Sequence, residues 1–201
     1  VYCWLPAERA LWLDAAGLVQ NVTAANLRAS AAAPLTLIER QTASSSASID
    51  FVIPAGYARH ELVFSRVVLA TNNASLWLRA SVNAGSSYLA GTEYAWGATY
   101  NDATATGVGN AANGAAQAVI SGGASNASNL TIAGRYDLDV GSGSLRASLH
   151  GGATMFDNAA GVMLAWRTGA SIAAGADVDA VRFLASSGNI ASGIFELWGV
   201  D

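Results

Sequence analysis

From residue 35 onward the chain alternates apolar and polar positions in short runs between turn-forming clusters, the pattern of an antiparallel sandwich or barrel. His60–Leu69 sets Leu62, Phe64 and Val68 on one face and Glu61, Val63, Ser65 and Val67 on the other. After the turn at Asn72-Asn73, Ser75–Val82 opposes Leu76, Leu78, Ala80 and Val82 to Trp77, Arg79 and Ser81, which predicts a half-buried strand. Arg135–Val140 is the most regular run, with Tyr136, Leu138 and Val140 against Arg135, Asp137 and Asp139. Its predicted partner is Ser144–Leu149, with Leu145, Ala147 and Leu149 inward. A loop of about four residues around Gly141-Ser142-Gly143, or a bulge, keeps both apolar sets on one side and brings Arg146 near Asp137 or Asp139. Leu35–Ile38, Ser48–Ile53, Tyr88–Tyr100, Thr154–Phe156, Gly161–Thr168, Val178–Leu184 and Ile190–Val200 extend the series. The last two are read as a hairpin across Ser186-Ser187-Gly188-Asn189, and the total is roughly ten to twelve strands.

Two regions break this rhythm. In the first quarter, Trp4–Leu13 can set Leu5 and Trp12 on one side of a short helix, with Pro6 tolerated in its first turn. Residues 14–34 show no sustained period, and Pro34 marks the boundary. Residues 101–128 are rich in Ala, Gly, Asn, Ser and Thr and read as a long sheet-edge excursion with one weak strand near Gln117–Ile120. The expected architecture is all-β: one antiparallel β-sandwich, jelly-roll-like, over residues 35–201. A short N-terminal segment, 1–34, helical or extended, docks on the sandwich or on a neighbouring subunit.

Composition narrows the function classes. The 201 residues are 52% hydrophobic and only 12% charged, against about 25% charged in typical domains. The apolar share is mostly alanine beside 21 glycines, so it reflects small side chains and a charge-poor surface open to partners. No run approaches the roughly 20 apolar residues of a membrane-spanning helix, so membrane insertion is not expected and the chain reads as soluble. All ten basic residues are arginine, and with a net charge of -4 they form no cationic stripe for nucleic acid. Cys3 stands alone, which excludes an intrachain disulfide and a cysteine-based zinc site.

No catalytic, cofactor or metal constellation emerges. His60 and His150 lack metal-ligand spacing, and Gly141-Ser142-Gly143 lacks the flanks of a nucleophile elbow. Asp137, Asp139, Asp157, Asp177, Asp179 and Glu196 offer carboxylates, but alternating carboxylates on strands describe a solvated face. Gly107-Val108-Gly109 and Gly151-Gly152 lack a following lysine and so make no phosphate cradle. Aromatic rings remain. Trp77, Tyr88, Tyr94, Trp96 and Tyr100, with Trp166 and Trp198 further on, are numerous for so uncharged a domain. Such rings stack on sugars or pack between subunits, which makes Trp77, Tyr88, Tyr94, Trp96 and Tyr100 the candidate ligand or interface residues.

The stretch Glu61–Tyr88, with its Leu76-Trp77-Leu78-Arg79-Ala80-Ser81 strand, followed by Tyr94-Ala95-Trp96, resembles a pattern in virion proteins of tailed bacteriophages and prophages. The terminal Val181–Gly199, with Ser186-Ser187-Gly188-Asn189-Ile190-Ala191-Ser192-Gly193, is similar to the closing hairpin of the same proteins. Together they cover about a third of the chain. The chain departs from the pattern at Asn83-Ala84-Gly85 and at Trp198, where tyrosine is usual. The resemblance implies a non-enzymatic virion component, a tail-fibre, tail-tip or surface-spike domain in host attachment. It further implies a particle-surface or extracellular location, homo-oligomers with trimers foremost, contacts with other virion proteins, and a host glycan or protein receptor. A capsid decoration protein and a free bacterial lectin-like module are the alternatives.

Overall fold

The computed structural model describes residues 9–13, 19–23, 35–102, 108–142, 145–159 and 161–201. The chain divides into two compact units, 1–34 and 35–201. In the first, β1 (Arg9–Leu13) pairs antiparallel with β2 (Val19–Thr23). The helix expected over Trp4–Leu13 is therefore not formed at residues 9–13. A run this short nucleates a helix poorly, whereas a second strand satisfies its backbone groups at once. Trp4 and Leu5 lie outside the described residues.

The second unit contains β3 (Leu35–Ser46), β4 (Ser48–Val52), β5 (Arg59–Leu69), β6 (Leu76–Ser81), β7 (Tyr94–Asp102) and β8 (Val108–Ala115). It continues with β9 (Ala118–Val119), β10 (Ile132–Asp139), β11 (Ala147–Asp157), β12 (Val162–Ile172), β13 (Ala180–Ala185) and β14 (Ile190–Val200). Eight strands form one sheet in the order β3-β14-β5-β10-β11-β12-β7-β8, and four form another in the order β4-β13-β6-β9. Every pairing is antiparallel. The fold is an all-β antiparallel sandwich of two unequal sheets.

The sheets meet through aromatic rings set on alternate, inward positions. Phe183 of β13 packs on Phe195 of β14 at 5.0 Å between centroids and on Phe64 of β5 at 5.9 Å, while Phe51 of β4 meets Phe183 edge-on at 6.3 Å. Tyr136 of β10 continues the cluster, stacked 6.1 Å from Phe64, and its buried hydroxyl donates to the Ile120 carbonyl at 2.7 Å. Burial holds the Tyr136 hydroxyl well above the ordinary tyrosine range.

Several expected elements differ. Val67 and Leu69, not Val68, share the inward face with Leu62 and Phe64, although Val68 is buried too, because a bulge at Arg66, with φ of 54°, inserts a residue and reverses the alternation. β7 begins at Tyr94, and Tyr88 lies in the preceding loop. The 101–128 region holds a full strand, β8, zipped onto β7 despite its low β-propensity, besides the short β9. Thr154–Phe156 is the second half of the continuous β11, not a separate strand. Leu145 is 71% exposed, since Leu149 opposite Leu138 sets the register and leaves Leu145 in the turn. That register places His150, not Arg146, against Asp137, at 3.4 Å. Finally, β13 and β14 are not a hairpin: they belong to different sheets, so residues 186–189 form an arch that sets Phe183 over Phe195.

Two predictions follow from this packing. Phe183→Ala removes the ring shared by three others and is expected to cost about 3–5 kcal/mol, read from the urea midpoint at constant m. His60 is buried, with Nε2 3.2 Å from the Pro54 carbonyl oxygen and Nδ1 without a partner, and desolvation lowers its pKa below the ordinary 6.5. A lowered folded-state pKa means that protonation favours the unfolded chain, so this part of the stability is intact above pH 6.5 and is lost as pH falls from there through the folded-state value. Thermal midpoints measured from pH 7.5 to 5 are expected to fall, and His60→Gln is expected to flatten that fall.

Candidate functional site

The four-stranded sheet is half as wide as the sheet it covers; its edge strand β9 still reaches β12, and β7 and β8 extend beyond that point. The segment after β9 extends the cover. Gly122 passes so close to β11 and β12 that a Cβ there would lie 2.6 Å from Met155 Cε and 3.0 Å from Trp166 Cζ3. Ser125 N donates to the Phe156 carbonyl at 2.9 Å, and Asn158 N to that of Gly123 at 3.1 Å, which ties this segment to the end of β11. Beyond it the inner face of β7 and β8 is left partly open.

The opening is a cleft of about 320 Å³, at the lower end of the roughly 300–1,000 Å³ of small-molecule sites. Trp96, Tyr100 and Trp166 form its aromatic floor, and Ser75, Asn110 and Asp157 contribute polar groups. Alternation explains the floor: Tyr94, Trp96, Ala98 and Tyr100 share the inward face of β7. Tyr94 and Ala98 are buried, while Trp96 and Tyr100 are only half-buried where the cover ends. The direct neighbours of Trp96 across both ladders are the small residues Ala112 and Ala170, and its half-buried ring packs against the margin of the core.

Tyr100 is held in place by Trp166, its cross-strand partner, with centroids 5.2 Å apart and planes 8° from parallel. Trp166 itself is 4% exposed; its Nε1 donates to Thr168 Oγ1 at 2.7 Å, and that hydroxyl donates to the Val119 carbonyl at 2.9 Å. The buried chain from β12 to β9 fixes the angle of the stack. The result is a rigid platform of flat apolar rings beside an amide and a carboxylate. Such a platform suits the CH face of a sugar ring, with its hydroxyls directed to the polar groups.

The five candidate aromatics separate. Trp96 and Tyr100 lie in the cleft. Tyr94 is core: its oxygen accepts from Ala80 N at 2.7 Å and donates to the Leu89 carbonyl at 3.2 Å, and burial pushes its pKa up to about 12. Trp77 lies on the outer face of the smaller sheet, in register with Leu184 and Val119. Tyr88 lies beneath the Arg182 guanidinium, 4.0 Å from its ring centroid. Arg182 donates to both Asp50 oxygens, at 2.8 and 2.5 Å, which raises its own pKa, while burial first and then Asp50 raise that of Tyr88. This ordered salt-bridge and cation–π group stiffens β4, β13 and the loop before β7.

Asn110, Asp157 and Ser75 are cleft residues that the pattern of aromatics did not reveal. They come from β8, the end of β11 and the turn before β6, and only the sheet order brings them together. Among the described residues, no three His, Cys, Asp or Glu side chains converge in a group that could hold a metal ion. No helix of the described residues is long and apolar enough to cross a membrane. No protein-family model, no curated protein and no solved structure matches the chain.

Proposed function

We propose that the chain is a non-enzymatic attachment domain of a tailed-phage virion and that the aromatic cleft holds a glycan of the host cell surface. The observation that carries the reading is the half-exposed pair Trp96 and Tyr100, fixed by the buried Trp166 beside Asn110 and Asp157. Rigid rings that remain open to solvent in a charge-poor domain are a binding feature more than a packing one. The reading takes the sandwich as a jelly roll. With the insertions β7–β8 and β11–β12 set aside, β3-β14-β5-β10 faces β4-β13-β6-β9, an order in which successive strands wrap back and forth between the sheets. Viral surface proteins and lectins share that architecture.

Self-assembly, with trimers foremost, belongs to the same reading. The edge strand β3 runs twelve residues, pairs on one side only among the described residues, and exposes Leu35 and Leu37. A long edge of this kind is suited to a neighbouring chain.

On an array of bacterial surface polysaccharides, the labelled chain is expected to bind a restricted subset. Trp96→Ala and Tyr100→Ala are expected to lower that affinity by roughly tenfold or more when measured well below each variant's own Tm, where circular dichroism shows the sandwich intact. Retention of no glycan, or binding that both substitutions leave intact, would count against the reading.

A further inference from the structure

The opposite, outer face of the same strands carries a second feature, independent of the cleft. There the eight-stranded sheet is indented by a shallow trough of about 910 Å³ across β10, β11, β12 and β7. Two inward glycines help to explain the dip. A Cβ at Gly134 would lie 2.6 Å from Phe64 Cζ, and one at Gly151 would lie 2.9 Å from Tyr136 Cδ1. Their absence lets the backbone sink toward the aromatic core.

The floor of the trough has no such explanation. Gly169 and Gly97 are cross-strand partners in the middle of β12 and β7, facing outward. Neither has a positive φ, and a Cβ at either would meet no atom within 4 Å. Glycine weakens a strand interior, and here neither a turn nor crowding calls for it. A bare patch of sheet at these positions is what a ligand lying directly on the backbone requires.

The charges around the patch define the ligand. One ladder row runs Arg135, Gly152, Arg167, Thr99, and the next runs Asp137, His150, Gly169, Gly97. Arg135 is engaged by Glu61, which is 1% exposed, and His150 lies against Asp137. One oxygen of each carboxylate is thus engaged at one end of the trough, Glu61 Oε1 by Arg135 and Asp137 Oδ2 by the His150 ring. Arg167, two strands beyond Arg135, is exposed, and among the described residues it has no ion-pair partner. Backbone groups inside a sheet are already paired, so the glycine floor offers van der Waals contact only. The directional bonds come from side chains at the rim, Arg167 with the hydroxyls of Thr99 and Thr154 on one side and the exposed Arg135 and His150 on the other.

We propose that this trough binds an acidic saccharide, with a sugar face on Gly97 and Gly169 and its carboxylate bidentate on Arg167.

The test is calorimetric titration of the full chain with a galacturonate trisaccharide, its methyl ester and inorganic phosphate. The trisaccharide is expected to bind and the neutral ester to fail. Arg167→Gln is expected to weaken binding about tenfold or more, while the exposed Arg146→Gln, with the same charge change, leaves it unaltered. Gly169→Val fills the floor with a better strand former, so it is expected to abolish binding while Tm holds or rises. Equal binding of the ester would overturn the proposal, as would phosphate matching the trisaccharide, which would indicate a simple anion subsite. A Gly169→Val protein with lowered Tm, or with undiminished affinity, would overturn it too. So would a native oligomer that Gly169→Val dissociates, because the face would then be a contact between copies.

Discussion

Phe183 reaches from the narrow sheet to Phe64 and Phe195 on the wide one, and that interlock sets how the two sheets of the sandwich face each other. The ring sits on β13, whose two neighbours are β4 and β6, and it meets β5 and β14, which are themselves adjacent in the wide sheet. Two distant stretches of the chain, β4–β5 and β13–β14, are thereby fixed at one point. Burying these rings is worth a large part of the fold's stability, and their edge-on and tilted geometries add specificity to the area they remove from water. The arch at 186–189 is the covalent counterpart of the same contact.

Once that point is fixed, the mismatch in width becomes the main structural fact. A sheet of eight strands covered by one of four must either lose order at its far end or find other cover. The chain does part of each. Residues after β9 lie across β11 and β12, anchored by the Tyr136 hydroxyl and by backbone bonds to Gly123 and Phe156, while β7 and β8 continue past them. The inner face of that overhang carries large rings and its outer face carries glycine and alanine, so one pair of strands presents an aromatic surface on one side and a bare one on the other. Both are consequences of period-two alternation in β7, where Tyr94, Trp96, Ala98 and Tyr100 alternate with Ala95, Gly97 and Thr99.

Alternation made much of this legible in the sequence. The inward sets of β6 and β10 are as their patterns predict: Leu76, Leu78 and Ala80 in one, Tyr136 and Leu138 in the other. What alternation does not encode is partnership. The bulge at Arg66, the arch after β13 and the pairing of His150 with Asp137 all depend on register between strands, which no local pattern specifies. β8 was illegible for a different reason: its Ala, Gly and Asn residues have little intrinsic strand preference, and β7 imposes the conformation on them. Of the candidate aromatics, spacing alone did not distinguish the buried Tyr94 from the half-open Trp96 and Tyr100, because the difference is made by where the other sheet stops.

On the proposed reading, the uncovered inner face of β7 is a preformed aromatic platform, open to a ligand in the isolated chain. The most direct measurement is the set of tryptophan indole NH signals, assigned by substitution, while a mixture of neutral oligosaccharides is added. The Trp96 signal is expected to shift first and furthest, with a smaller response at Trp166 beneath Tyr100 and none at Trp77 or Trp198. A response centred on Trp77, or no selective response at Trp96 under any saccharide that the chain retains, would contradict it.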